Sequence, residues 1–202
     1  MSKIINLVFL GIFYLSVQIN SKIIVNNGAF VALKSDGSLL NWGNSSYGGQ
    51  HSTKPSGNFI KVVSSFTGFA ALNTDGSLVQ WGTTTGTIPT GTVYIDLFNI
   101  SNKTFLAVKN DGTLVAWGIN QSTITELPTD NNYNNAKFIS NNNDNGTVVA
   151  LKSDGTIKSW GGEGSITAPS DNGYTDIFPS QKSFVAIDNK NNLVQWFVDE
   201  YQ

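Results

Sequence analysis

FVALKSDGSLLNWG (30–43), FAALNTDGSLVQWG (69–82), FLAVKNDGTLVAWG (105–118), VVALKSDGTIKSWG (148–161) and FVAIDNKNNLVQWF (184–197) align without a gap. In every copy ten positions separate Ala from Trp: Ala32 and Trp42, Ala71 and Trp81, Ala107 and Trp117, Ala150 and Trp160, Ala186 and Trp196. Successive Trp residues lie 39, 36, 43 and 36 positions apart, so all variation in length falls outside the 14-residue block. A fixed unit of under 40 residues, repeated five times, predicts an array or a propeller.

Each block has the chemistry of a β-hairpin. Asp36-Gly37, Asp75-Gly76, Asp111-Gly112 and Asp154-Gly155 separate two apolar runs, and Asp-Gly in a two-residue loop predicts a type I′ turn. In the last copy Lys190-Asn191 stands there, and Asn tolerates the left-handed conformation better than most residues. A short β-rich run precedes each hairpin (22–25, 61–63, 95–98, 137–139, 176–178), giving at least three strands per unit. The Gly, Pro, Ser and Thr-rich stretches after the Trp read as loops with room for a fourth, edge strand. Consecutive apolar residues such as Phe69-Ala70-Ala71-Leu72 require cover on both faces of the sheet, which a radial stack of blades supplies. The expected fold is therefore all-β: a propeller of about five blades, each of three to four antiparallel strands. An open arc or a fragment of a seven-bladed ring is the alternative.

Composition narrows the function. The 202 residues contain no Cys, one His and no Arg; all 12 positive charges are Lys, against 14 acids. That excludes disulfides, Cys-bound metals and thiol catalysis, and a net charge of −2 argues against nucleic acid. With one His to fill every acid, base or metal role, no catalytic set can be assembled, and no cofactor or metal site is expected. Met1-Ser2-Lys3 followed by the apolar run 4–17 has the layout of a secretory signal peptide, too short for a bilayer span of ~20 residues. The expected division is a leader at 1–20 and a five-repeat domain at 21–202. Such a protein works outside the cell, in a periplasm or at a cell surface, with no membrane span once the leader is removed.

The block from Ala32 to Gln50, ALKSDGSLLNWG followed by NSSYGGQ, resembles the repeat of the regulator of chromosome condensation superfamily of β-propellers. The short repeat and the export signal are more similar to its secreted bacterial branch, which includes a β-lactamase inhibitory propeller. The resemblance covers nearly all of residues 22–202 and implies a fold, not an activity. It departs from the family in two places: the family usually closes seven blades, and copy five ends Trp196-Phe197 where the others have Trp-Gly.

Binding candidates come from the segments that differ between copies, because recognition sits on variable loops over a rigid scaffold. The longest are 44–58, with Tyr47 and His51, and 119–135, with Tyr133. Tyr offers area and a hydroxyl suited to a protein or glycan surface. The repeated Trp rings are read as packing, with sugar stacking in a multivalent lectin as the competing use. A lyase or hydrolase would need His51 beside paired carboxylates. Asn44, Asn99, Asn102, Asn120 and Asn145 begin glycosylation sequons. Residues 141–146 resemble the opening of a calcium loop, but Lys152 occupies the place of its required Glu. The expected role is non-catalytic protein recognition, with self-association to complete a ring.

Overall fold

The computed structural model describes residues 3–9, 13–19, 22–50, 55–84, 86–119, 124–140, 146–162, 167–180 and 182–197. Strands β1 (Lys3–Phe9) and β2 (Phe13–Ile19) pair antiparallel, apart from the other sheets. The remaining fifteen strands form five three-stranded antiparallel sheets, one per repeat. Blade 1 is β3 (Lys22–Val25), β4 (Ala29–Leu33) and β5 (Leu39–Gly43). Blade 2 is β6 (Phe59–Ser64), β7 (Gly68–Asn73) and β8 (Leu78–Gly82), and blade 3 is β9 (Tyr94–Ser101), β10 (Thr104–Lys109) and β11 (Leu114–Gly118). Blade 4 is β12 (Lys137–Ser140), β13 (Val148–Leu151) and β14 (Ile157–Trp160), and blade 5 is β15 (Tyr174–Pro179), β16 (Ser183–Asp188) and β17 (Leu193–Phe197). Neighbouring blades approach most closely at their first strands, as β6 does to β9 and β12 to β15, so those strands lie innermost.

Side-chain alternation gives every blade two apolar faces. One carries the aromatic pair: Phe69 opposite Trp81, with Ala71 and Val62 beside them. The other is aliphatic, as with Ala70 and Leu72. The aliphatic face of each blade packs on the aromatic face of the next. Four buried clusters result, joining blades 1 and 2, 2 and 3, 3 and 4, and 4 and 5. No cluster among the described residues joins blade 5 to blade 1.

Rings stack at 5.4 Å for Phe69–Trp81 and meet tilted at 5.4 Å for Phe105–Trp117. Blade 4 has Val148 in the Phe position, and an aromatic on the first strand compensates: Phe138 meets Trp160 edge-on at 6.3 Å and Phe98 of blade 3 at 4.6 Å. Trp117 also donates its indole N–H to Gln80 of the preceding blade at 2.9 Å.

The hairpin turns differ from the type I′ expectation. Gly37, Gly76, Gly112 and Gly155 have φ of +80 or +81°, but none of their aspartates has positive φ. The loop has three residues, a type I turn closed by a left-handed glycine: Gly37 N–H donates to the Lys34 carbonyl and Lys34 N–H to the Ser38 carbonyl. The reason lies in the hydroxyl after each glycine. Asp36 accepts from Ser38 N–H at 2.9 Å and Ser38 Oγ at 2.7 Å, and Asp75, Asp111 and Asp154 repeat this with Ser77, Thr113 and Thr156. These bonds, the side-chain one foremost, hold the four carboxyls below the usual carboxylate range. In blade 5 Asn191, at φ 64°, takes the glycine position, and Asp188 at the start of the turn accepts from Lys190 and Asn192.

Each turn also docks on the next blade. The carbonyls of Gly37, Gly76, Gly112 and Gly155 accept the backbone N–H of Phe59, Tyr94, Tyr133 and Tyr174 at 2.8–3.1 Å. All four aromatic residues are buried. Lys61 of β6 pairs with Asp96 of β9 at 2.6 Å, and Lys137 of β12 pairs with Asp176 of β15, each ammonium lying over a Phe ring two residues beyond the aspartate. The matching positions of Asp96 and Asp176 thus serve blade-to-blade clamps.

Candidate functional site

Tyr133, expected on a binding loop, is fully buried between blades 3 and 4. It is one of the four docking aromatics, so its ring has no surface to offer a partner. The sequence signal was available in Tyr94 and Tyr174, each two positions before the aspartate of its first strand; Tyr133 lies four positions before the matching Lys137, which disguises the match. Positive φ at Asn132 and Asn135 bends the chain around it. Its hydroxyl donates to Asp130 at 2.8 Å, and burial followed by that carboxylate pushes the phenol well above its ordinary range.

This burial pins the longest variable segment. Lys152, its side chain only 6% exposed, lies 4.2 Å over the Tyr133 ring and donates to Asp130 at 2.6 Å and to the Asn131 carbonyl at 2.9 Å. Burial pushes the Asp130 carboxyl upward, but the hydrogen bonds from Lys152 and Tyr133 outweigh it and hold the group ionised. Glu126 accepts the Gly161 N–H at 3.0 Å, fastening the same segment to the end of blade 4. The loop is therefore a preorganised platform.

Beside it opens a cleft of about 600 Å³. Asp130, Lys152, Lys158 and Ser159 of β14, and Pro169 and Asp171 are among its lining residues. Among the described residues β14 is the outer strand of its sheet. Acids, lysines and hydroxyls in one lining suit a polar, mixed-charge ligand. The lining holds no His and no Cys. No set of three or more metal-ligating side chains converges among the described residues, and no helix there is long and apolar enough to cross a membrane.

Tyr47 stands in a one-turn 3-10 helix (Ser45–Tyr47) capped by Asn44, whose side chain accepts the Ser46 N–H. Its half-buried ring lies against Gly28, where an added Cβ would come within 2.8 Å, and its carbonyl accepts from Asn26. Thr83 of blade 2 donates to the Ser46 carbonyl, so this segment joins two blades. Tyr47 is brought near neither Tyr133 nor the cleft by any contact described. His51, Asn120, Asn145 and the stretch 141–145 lie outside the described residues. Asn44 is exposed; Asn99 and Asn102 are half-buried, and the Asn99 amide donates to the carbonyls of Ser101 and Thr104. Trp81, Trp117, Trp160 and Trp196 are buried between blades, which assigns them to packing and leaves no open ring face for a sugar.

No family model and no curated protein matches this chain. Solved structures do. The ectodomain of the receptor kinase CR4 from Physcomitrella patens is similar over 87% of this chain and 49% of that one, at 13% identity and a TM-score of 0.61. Prp20p from Saccharomyces cerevisiae, described with its binding properties to Gsp1p and histones, matches 86% of this chain and 56% of its own, at 13% identity and TM-score 0.56. The computationally designed Ika8 protein matches 91% and 60%, at 18% identity and TM-score 0.56. The chain spans about half to three-fifths of the length of these proteins. The likenesses establish the fold, a β-propeller.

Proposed function

We propose that this chain is a non-catalytic binding module, exported on the leader 1–20, that recognises a protein partner at or outside the cell surface. The cleft beside Asp130 carries the reading: a variable loop made rigid by Tyr133 and Lys152 lines a polar groove together with β14, the outer strand of its sheet among the described residues. Such a strand suits an extended peptide, since main-chain bonds supply affinity and flanking side chains supply selectivity. Tyr47 and the 44–58 loop lie on the blade 1 to blade 2 connection, as a second surface of the same module. Attachment of glycans at Asn44, Asn99, Asn102, Asn120 or Asn145 would require a eukaryotic source. Prp20p, described with its binding properties to Gsp1p and histones, shares the fold, which supports the class of function and not a partner.

A glycan-array titration with and without calcium separates protein from sugar recognition. The protein reading expects no saturable binding; several equivalent sites per chain would replace it with the lectin. Photo-crosslinking from position 158 or 171 on the producing cell surface should then label a protein, and Asp130→Ala should abolish the label. Labelling unchanged by that substitution would remove the cleft from the reading.

A further inference from the structure

The two ends of the blade stack carry the unmatched halves of one repeated junction. On blade 1 the aromatic face (Ile23, Phe30, Leu40, Trp42) is only half-buried, and Val25 at its margin is 49% exposed. On blade 5 the aliphatic face bears Phe178 at 45%, Leu193 at 70% and Phe197 at 61% exposure, with Val185 and Ile187 half-buried. At the interior junctions the residues that match Trp42 (Trp81, Trp117, Trp160 and Trp196) are buried, as are Leu39, Leu114 and Ile157, which match Leu193.

We propose that blade 5 of one copy packs on blade 1 of a second copy, repeating the interior junction between chains. The blade 3 to blade 4 junction supplies the template. There Phe98 on β9 meets Phe138 on β12, their ring centroids 4.6 Å apart. At the ends, Asp176 and Phe178 on β15 stand in the register of Asp96 and Phe98, while Lys22 and Ile23 on β3 stand in the register of Lys137 and Phe138. Phe178 would meet Ile23 as Phe98 meets Phe138. The turn of blade 5 likewise presents the Asn191 carbonyl in the place where four other turns accept an N–H from the following blade. The contact is heterologous, one surface meeting a different one, so association adds copies in one direction until rotation closes a ring or leaves a filament.

Sedimentation velocity of the full chain, from about 1 to about 100 µM, tests this. Species beyond the dimer are expected as concentration rises. Val25→Glu and Leu193→Glu each place a charge in one face at an exposed position, and each should weaken self-association about a hundredfold while leaving the melting curve intact. Mixed together, they should form a dimer and nothing larger, because one keeps the blade 5 face and the other the blade 1 face. A chain monomeric throughout the range overturns the proposal; if Val25→Glu then also lowers its melting temperature, the chain's own N-terminal segment covers blade 1. Either variant associating like the parent, or a mixture that stays monomeric, overturns the head-to-tail geometry.

Discussion

Blades 2 to 4 and blades 1 and 5 are built from the same block but differ in how their middle strands are covered. In blades 2, 3 and 4 the strands Gly68–Leu72, Thr104–Val108 and Val148–Leu151 are buried at every position. In blade 1 Phe30 and Leu33 are only half-buried, and in blade 5 so are Val185 and Ile187. The hairpin and the Asp-based turn are present at both ends of the comparison, and the Phe–Trp pair in every blade but the fourth. What differs is the neighbour. A blade of this protein is thus an incomplete unit whose stability is set at its junctions, as nearest-neighbour coupling in repeat proteins requires.

The strongest way to break that view is to truncate the same Trp in two blades. Trp117→Ala removes a ring buried between blades 2 and 3 and should cost about 3–5 kcal/mol in denaturant unfolding. Trp42→Ala, on the half-covered face of blade 1, should cost less than about half of that. Equal losses would mean that the pair is stabilised within its own blade. Next, Lys152→Met keeps the stem over Tyr133 but removes the bonds to Asp130 and to the Asn131 carbonyl, for a loss of about 1–3 kcal/mol. Native-state hydrogen exchange should then rank the middle strands, with β7, β10 and β13 slower than β4 and β16.

The acid limb gives a smaller, graded effect. The turn carboxyls of Asp36, Asp75, Asp111, Asp154 and Asp188 lie below the ordinary value in the folded chain, so the stability they add is complete above about 3.9. It is lost as pH falls through their folded values. Melting temperature should hold from pH 7 to about 5 and fall below about 4, and Asp111→Asn should flatten that fall. Smallest of all is Lys61→Met: both charges of its pair with Asp96 are about a third exposed, and the loss should be below about 1 kcal/mol.

Much of the fold was legible because it repeats. The Ala-to-Trp interval located every hairpin, and the runs before them located β3, β6, β9, β12 and β15. The turn class was misjudged because Asp-Gly alone does not count loop residues; the hydroxyl at Ser38, Ser77, Thr113 or Thr156 was the informative neighbour. Tyr133 was misplaced for a related reason. Its segment looked variable by length, while the one residue that ties it to the repeat is read only by aligning it with Phe59, Tyr94 and Tyr174. The cleft beside Asp130 had no signature, since it joins residues up to 41 positions apart through two loops of unlike sequence.

The backbone bond from each turn carbonyl to the following aromatic N–H fixes where the gene for such a protein can be cut. Between one Trp and the next docking aromatic the chain already varies in length, from 13 positions (Trp81 to Tyr94) to 17 (Trp42 to Phe59). A recombination breakpoint in that stretch transfers a whole blade with its hook and its socket intact, whereas one inside the 14-residue block splits a hairpin. Blade number can therefore change by unequal crossover without any new interface being invented.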